Sequence, residues 1–181
     1  LQIRSKQLRI IEVHTNCNST SFQTALEVLP RCAALSRLDL SGNDIGGEGA
    51  RALSEALPRC AALSHLDLSG VHPMSLFDYP HIGTEGARAL SEALPHCAVL
   101  SRLDLSQNSI GEDGARALSE VLPRCAVLSQ LNLARNSIAG EGTRALSEAL
   151  PRCAVLSQLN LRSTIGAEGA RVLSEALPHC T

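Results

Sequence analysis

Apolar and polar positions alternate in two rhythms along this chain. Leu35, Leu38 and Leu40 form an LxxLxL pattern, and its last part has the period of two expected of a short strand. After Asn43, Ile45 and the Gly46-Gly47-Glu48-Gly49 turn, the apolar residues Ala52, Leu53, Ala56 and Leu57 recur at helical spacing. That spacing leaves Arg51, Ser54 and Glu55 on the outer face. The unit therefore predicts strand, turn, helix. Pro58 lacks an amide proton and disfavours helical geometry in Leu57, so the helix is predicted to finish around Ala56 or Leu57. Glu48 stands in the first helical turn, where negative charge is favourable. A glycine recurs at 49, 86, 114, 142 and 169. Glycine inside a helix costs about 1 kcal/mol relative to alanine, so its recurrence implies a close approach of backbones.

The unit repeats. Leu53 to Cys60, LSEALPRC, is nearly reproduced at 90–97, 118–125, 146–153 and 173–180, and Leu35 and Leu63, Leu100 and Leu128, and Leu128 and Leu156 are each 28 residues apart. Units that cannot bury their own apolar face must stack on copies of themselves. The expected organisation is a single domain over 1–181, in about six repeats: an irregular one at 8–34, then 35–62, 63–99, 100–127, 128–155 and 156–181. The irregular first unit places Leu8, Ile11, Val13 and Asn16 in its strand. Neither end carries a polar capping unit, so the sequence predicts a piece of a longer array whose uncapped ends self-associate.

The stretch Leu100-Ser-Arg-Leu103-Asp-Leu105-Ser-Gln-Asn108-Ser-Ile110-Gly111 resembles a leucine-rich repeat of the ribonuclease-inhibitor type. The resemblance covers nearly the whole chain. It implies an α/β solenoid, a curved right-handed horseshoe segment with parallel strands on the concave face and helices on the convex face. It also implies an asparagine ladder, carried by Asn43, Asn108 and Asn136, which satisfies backbone groups of the turns. The last unit departs from the pattern, with Thr164 where the asparagine is expected.

Aromatic residues make up only 2% of the chain, so the core must be filled by Leu, Ala, Val and Cys. A formal net charge of −2 argues against sequence-independent binding to nucleic acid or to an anionic membrane. No apolar run approaches the roughly 18 residues of a membrane span, and the sequence reads as a cytoplasmic protein. Of seven cysteines, Cys32, Cys60, Cys97, Cys125, Cys153 and Cys180 share one repeat position and only Cys17 stands apart. The column reads as buried, reduced thiols. No pair has metal-ligand spacing, and no metal or cofactor is expected.

Residues between the strand leucines point away from the core and form columns. One reads Arg37, His65, Arg102, Gln130, Gln158, the next Asp39, Asp67, Asp104, Asn132, Asn160, and the third Ser41, Ser69, Ser106, Ala134, Arg162. Two like charges about 5 Å apart repel by about 0.8 kcal/mol even in water, so three stacked aspartates need compensation. Arg37 and Arg102 supply it from two residues upstream. Such a face is either a self-neutralised, solvated surface or one on which Asp39, Asp67 and Asp104 receive a basic segment of a partner. The period breaks once, with 37 residues between Leu63 and Leu100. The extra residues lie around 71–81 and include Phe77 and Tyr79. Placed between strand and helix, they predict a protrusion at the rim of the concave face, either an interface anchor or a tolerated insertion. On the convex side Arg51, Arg88, Arg116, Arg144 and Arg171 are expected to pair with the glutamate four residues on.

No nucleophile motif, phosphate-binding loop or zinc-type motif is present, so an enzyme is not expected. The partner-binding residues predicted are Arg37, Asp39, His65, Asp67, Phe77, Tyr79, Arg102, Asp104, Gln130 and Asn132. The function predicted is a non-catalytic module that binds another protein. The resemblance offers two contexts, the sensing array of a NOD-like receptor and, as the alternative, a GTPase-activating regulator similar to the Ran-activating family.

Overall fold

The computed structural model describes residues 9–12, 26, 29–43, 45–70, 81–162 and 165–179. Within them the LxxLxL segments form six three-residue strands: β1 Ile10–Glu12, β2 Arg37–Asp39, β3 His65–Asp67, β4 Arg102–Asp104, β5 Gln130–Asn132 and β6 Gln158–Asn160. They make one parallel sheet in chain order. The register is unbroken, with Leu38, Leu66, Leu103, Leu131 and Leu159 aligned behind Ile11. The central leucines of β2 to β5 are buried, as the period of two requires. Leu8, Val13 and Asn16, expected in the first strand, lie outside the described residues.

Each strand from β2 on is followed by a helix: α1 Gly46–Ala56, α2 Gly83–Ala93, α3 Gly111–Val121, α4 Glu141–Ala149 and α5 Ala167–Ala176. The α-helical ladder stops where the proline forces it to. In the first of these units the chain tightens after Ala56 into a 3₁₀ turn, Leu57–Arg59, with Pro58 at its second position. The cysteine column meets the carbonyls left over there. Cys60, Cys97 and Cys125 donate their thiol protons to the carbonyls of Ala56, Ala93 and Val121 at 3.4 Å, and Cys153 to Ala149 at 3.3 Å. Cys32, Cys60, Cys97 and Cys125 are free thiols; Cys97 and Cys153 are half-buried rather than buried. Cys17 and Cys180 lie outside the described residues.

The recurring helical glycine is explained by contact with its own turn and with the preceding helix. A Cβ on Gly114 would lie 2.6 Å from Ile110 Cγ2, 3.1 Å from Ala87 Cβ and 3.4 Å from Thr84 Cα. The asparagine ladder forms as expected. Fully buried Asn136 donates to the carbonyls of Leu133 at 3.1 Å and, one repeat back, of Leu105 at 2.8 Å, while its Oδ1 accepts the amide of Asn108 at 2.8 Å.

A second ladder runs at the opposite ends of the strands and was not foreseen. Ser64, Ser101, Ser129 and Ser157 each donate Oγ–H to the carbonyl of the preceding repeat's serine, at 3.0 to 3.2 Å. The expectation that the helix serines lie on exposed faces holds for Ser174, while Ser54 is half-buried and the three between them depart from it. Ser91, Ser119 and Ser147 are buried, because the neighbouring helices of the array cover the flank on which they sit. Their hydroxyls donate to backbone carbonyls three or four residues earlier, so none is buried unmet.

Candidate recognition groove

The polar edges of β2 to β6 line a groove of about 570 Å³ that includes Arg37, His65, Asp67, Arg102, Asp104, Gln130 and Asn132. Asp39 stands beside it, in register with Asp67, which is in register with Asp104. The sheet therefore brings together every predicted strand-face residue. Phe77 and Tyr79 lie outside the described residues.

The acidic column has a backbone role that the sequence did not disclose. Asp39 Oδ1 accepts the amide of Ser41 at 3.0 Å, Asp67 that of Ser69 at 2.9 Å and Asp104 that of Ser106 at 2.9 Å. In the same place Asn132 accepts the amide of Ala134 at 3.1 Å and Asn160 that of Arg162 at 3.0 Å. Aspartate and asparagine both offer the Oδ1 that closes this turn. Only the outer atom, oxygen or amide, differs along the column. The third column, predicted to face outward, turns inward in part: Ser106 and Ala134, which open the turns after their strands, are buried.

The outer atoms are engaged unevenly. Arg37 lies 3.6 Å from the Oδ2 of Asp39. Arg102 was expected to neutralise Asp104; instead its Nε donates to Oε1 of Gln130 on the next strand. Asp104 Oδ2 is served by Asn132, whose Nδ2 donates to it at 2.7 Å. Asp67, half-buried between the other two, has only Ser69 as a hydrogen-bond partner among the described residues. Burial pushes its carboxyl above the ordinary range, and the charges of Asp104 and Asp39 add to this against the pull of Ser69. Burial also acts on Asp39, but the hydrogen bonds from Ser41 and the Arg37 guanidinium outweigh it and hold that carboxyl below its usual value.

His65 Nδ1 lies 2.8 Å from Ser64 Oγ. This is no nucleophile and base, because the serine hydroxyl is directed at the carbonyl of Ser36 as part of the ladder. Among the described residues no three His, Cys, Asp or Glu side chains come together to hold a metal ion, and no helix is long and apolar enough to cross a membrane.

The base of the insertion is pinned by Asn108. Its Nδ2 donates to the carbonyl of Leu68 at 2.7 Å, before the insertion, and its Oδ1 accepts the amide of Ile82 at 3.3 Å, after it. Gly70 N–H donates to Ser106 at 2.8 Å and Gly83 N–H to Asn108 at 2.9 Å. On the convex side the arginines pair mainly backward. Arg88 with Glu85, Arg116 with Asp113 and Arg144 with Glu141 are separated by three residues, and Arg171 pairs both with Glu168 and, four residues on, with Glu175. The correction follows from helix geometry, since side chains lean toward the N-terminus, where these acids sit.

The sequence matches the family model for the leucine-rich repeat at residues 31–54, 96–119 and 124–147. No curated protein matches it. Among solved structures, actin-binding site 2 of leiomodin-1 superposes with a TM-score of 0.71 at 16% identity, covering 90% of each chain. The C-terminal domain of tropomodulin from Caenorhabditis elegans superposes with a TM-score of 0.67 at 16% identity, covering 87% of this chain and 92% of that one. At such identities the likeness is one of fold. The chain is thus built of leucine-rich repeats, stacked into an α/β solenoid with a parallel sheet on one side and helices on the other.

Proposed function

We propose that this chain is a non-catalytic recognition module that seats another protein against the polar strand face, with the insertion at 71–81 as a second point of contact through Phe77 and Tyr79. The observation that carries the reading is the groove itself. Side chains of five strands converge there, and they are the positions at which the repeats differ: Arg37, His65, Arg102 and Gln130 in one column, Asp67, Asp104 and Asn132 in the next. A surface made of the variable positions of an otherwise uniform scaffold is suited to reading a partner. A domain of the same fold and nearly the same length, that of leiomodin-1, is an actin-binding site, which supports protein binding as a use of this architecture.

The ribonuclease-inhibitor subclass and the sensing array of a NOD-like receptor are the finer readings, and they rest on the repeat signature of Leu100 to Gly111. The free thiols of Cys32, Cys60, Cys97 and Cys125 support a reducing, cytoplasmic setting for it. The test is cross-linking followed by pull-down with the chain, with a Gln130→Trp variant that fills the groove, and with a deletion of 72–80. Actin and Ran serve as defined probes, and Ran is also assayed for GTP hydrolysis. Specific binding lost on filling the groove supports the module; stimulated hydrolysis by Ran would replace it with the GTPase-activating alternative.

A further inference from the structure

We propose that the centre of the groove, His65 and Asp67 on β3, is a seat for one lysine or arginine side chain of the partner. The inference rests on the reading of the groove as a protein-binding surface and names the chemistry it selects.

The argument starts from which charges are already engaged. On β2 Asp39 faces Arg37, and on β4 the Oδ2 of Asp104 is held by Asn132 while Arg102 is turned toward Gln130. Asp67 lies between these strands with Ser69 as its sole partner among the described residues. A carboxylate offers about four acceptor sites, so among the described residues most of its capacity is left for the groove.

The ring of His65 adds a second acceptor. Ser64 has one hydroxyl proton and gives it to the Ser36 carbonyl at 3.0 Å, as Ser101, Ser129 and Ser157 do in their own repeats. The 2.8 Å contact between Ser64 Oγ and His65 Nδ1 is then donated by the ring. A neutral imidazole with its proton on Nδ1 presents Nε2 as an acceptor. His65 and Asp67 are two residues apart on one strand face, about 7 Å along it. With the ring in that form, both side chains present acceptors to the groove and neither presents a donor to it. An anionic or carbonyl group of a partner would find no donor on these two side chains, only the guanidinium groups of Arg37 and Arg102 on the flanking strands, which are turned to Asp39 and Gln130, whereas an ammonium or guanidinium bonds both. Across β2 to β4 three carboxylates face two guanidinium groups, so the local charge also favours a cation.

The test uses the chain itself against immobilised random peptide pools whose central residue is fixed as lysine, arginine, acetyl-lysine, glutamate or alanine. The lysine and arginine pools are expected to retain about fivefold more protein than the alanine and acetyl-lysine pools. The preference disappears in Asp67→Asn, which should fold normally because Asn132 and Asn160 close the same turn in their own repeats. It persists in Glu85→Gln, which changes net charge equally on the convex face. Equal retention by all pools, abolished by Gln130→Trp, would overturn the lysine or arginine seat and leave the protein-binding surface standing. A preference that survives Asp67→Asn would also overturn the seat. Retention by no pool would overturn both. Independently, long-range ¹⁵N–¹H spectra at about pH 8, assigned with His65→Gln, should place the ring proton on Nδ1. A proton on Nε2 would remove the second acceptor and refute the seat as drawn.

Discussion

Asn132 donates its side-chain amide to the outer oxygen of Asp104 across β5 and β4 at 2.7 Å. This bond joins the acidic half of the strand face to its amide half and satisfies the outer oxygen of the last carboxylate of the row. Replacing Asn132 with aspartate keeps the bond that closes its own turn. It removes the donor and sets a like charge about 4.8 Å from Asp104. Asn132→Asp is expected to lower stability by about 2 kcal/mol at neutral pH, measured by urea unfolding. Acidification below the carboxylate range should narrow the loss.

Asp67 and Asp39 should respond to amide substitution with opposite signs. The folded carboxyl of Asp67 titrates above its unfolded value, so the stability linked to it is present at low pH and is lost as pH rises through the folded value. Asp67→Asn should therefore be more stable than the parent at neutral pH, with the gap closing on acidification. Asp39 titrates below its unfolded value, and the stability it brings is present at neutral pH and lost as pH falls. Asp39→Asn should be less stable at neutral pH. Paired unfolding curves across the acid range read both signs.

Asn136 is fully buried and bonds groups of two repeats through both ends of its amide. Asn136→Ala takes a hydrogen bond from each of those carbonyls and leaves the Asn108 amide without its acceptor in a dry site. A loss of about 3–5 kcal/mol is expected from chemical denaturation.

Gly114→Ala tests helix spacing against helix propensity. Alanine favours an isolated helix by about 1 kcal/mol, but its Cβ would lie 2.6 Å from Ile110 Cγ2 and 3.1 Å from Ala87 Cβ. The clash should win, with a net destabilisation of about 1–2 kcal/mol in urea unfolding.

Burial pushes the thiols of Cys97 and Cys125 up to about 11, with smaller contributions from the neighbouring thiols of the column. The shift from 9.0 corresponds to about a hundredfold less thiolate at a given lower pH, so alkylation of the native chain at these residues should lag far behind the denatured chain. The folded state keeps protons that the unfolded state releases from about pH 9, so stability should fall as pH rises from 9 toward 11. Mass-spectrometric labelling and unfolding in that window check the two consequences.

The strands, the helices and the asparagine ladder were legible because each is written in the spacing of a single unit. Leu38 and Leu40 declare a strand by their period, and Pro58 declares the helix end by chemistry. What escaped depends on the stacking of units. Ser91 and Ser119 look outward on their own helices and are buried only by the neighbours that flank them. Arg102 has Asp104 two residues away in sequence, yet Gln130 on the adjacent strand takes its Nε–H. For the groove, the residues on its face were foreseen and their pairing was not, since pairing is a competition among neighbours in three dimensions. The insertion obeys no period, and its rings fall outside the described residues.

The turn closed by Oδ1 has an effect on how such a surface can change. Aspartate and asparagine codons differ by one base, and either residue supplies the same bond to the amide two positions on. Each rung of the face can thus gain or shed a negative charge in one mutational step with its backbone turn intact. The scaffold holds its shape while the electrostatic message on it is rewritten rung by rung, so a new partner can be acquired without refolding the array.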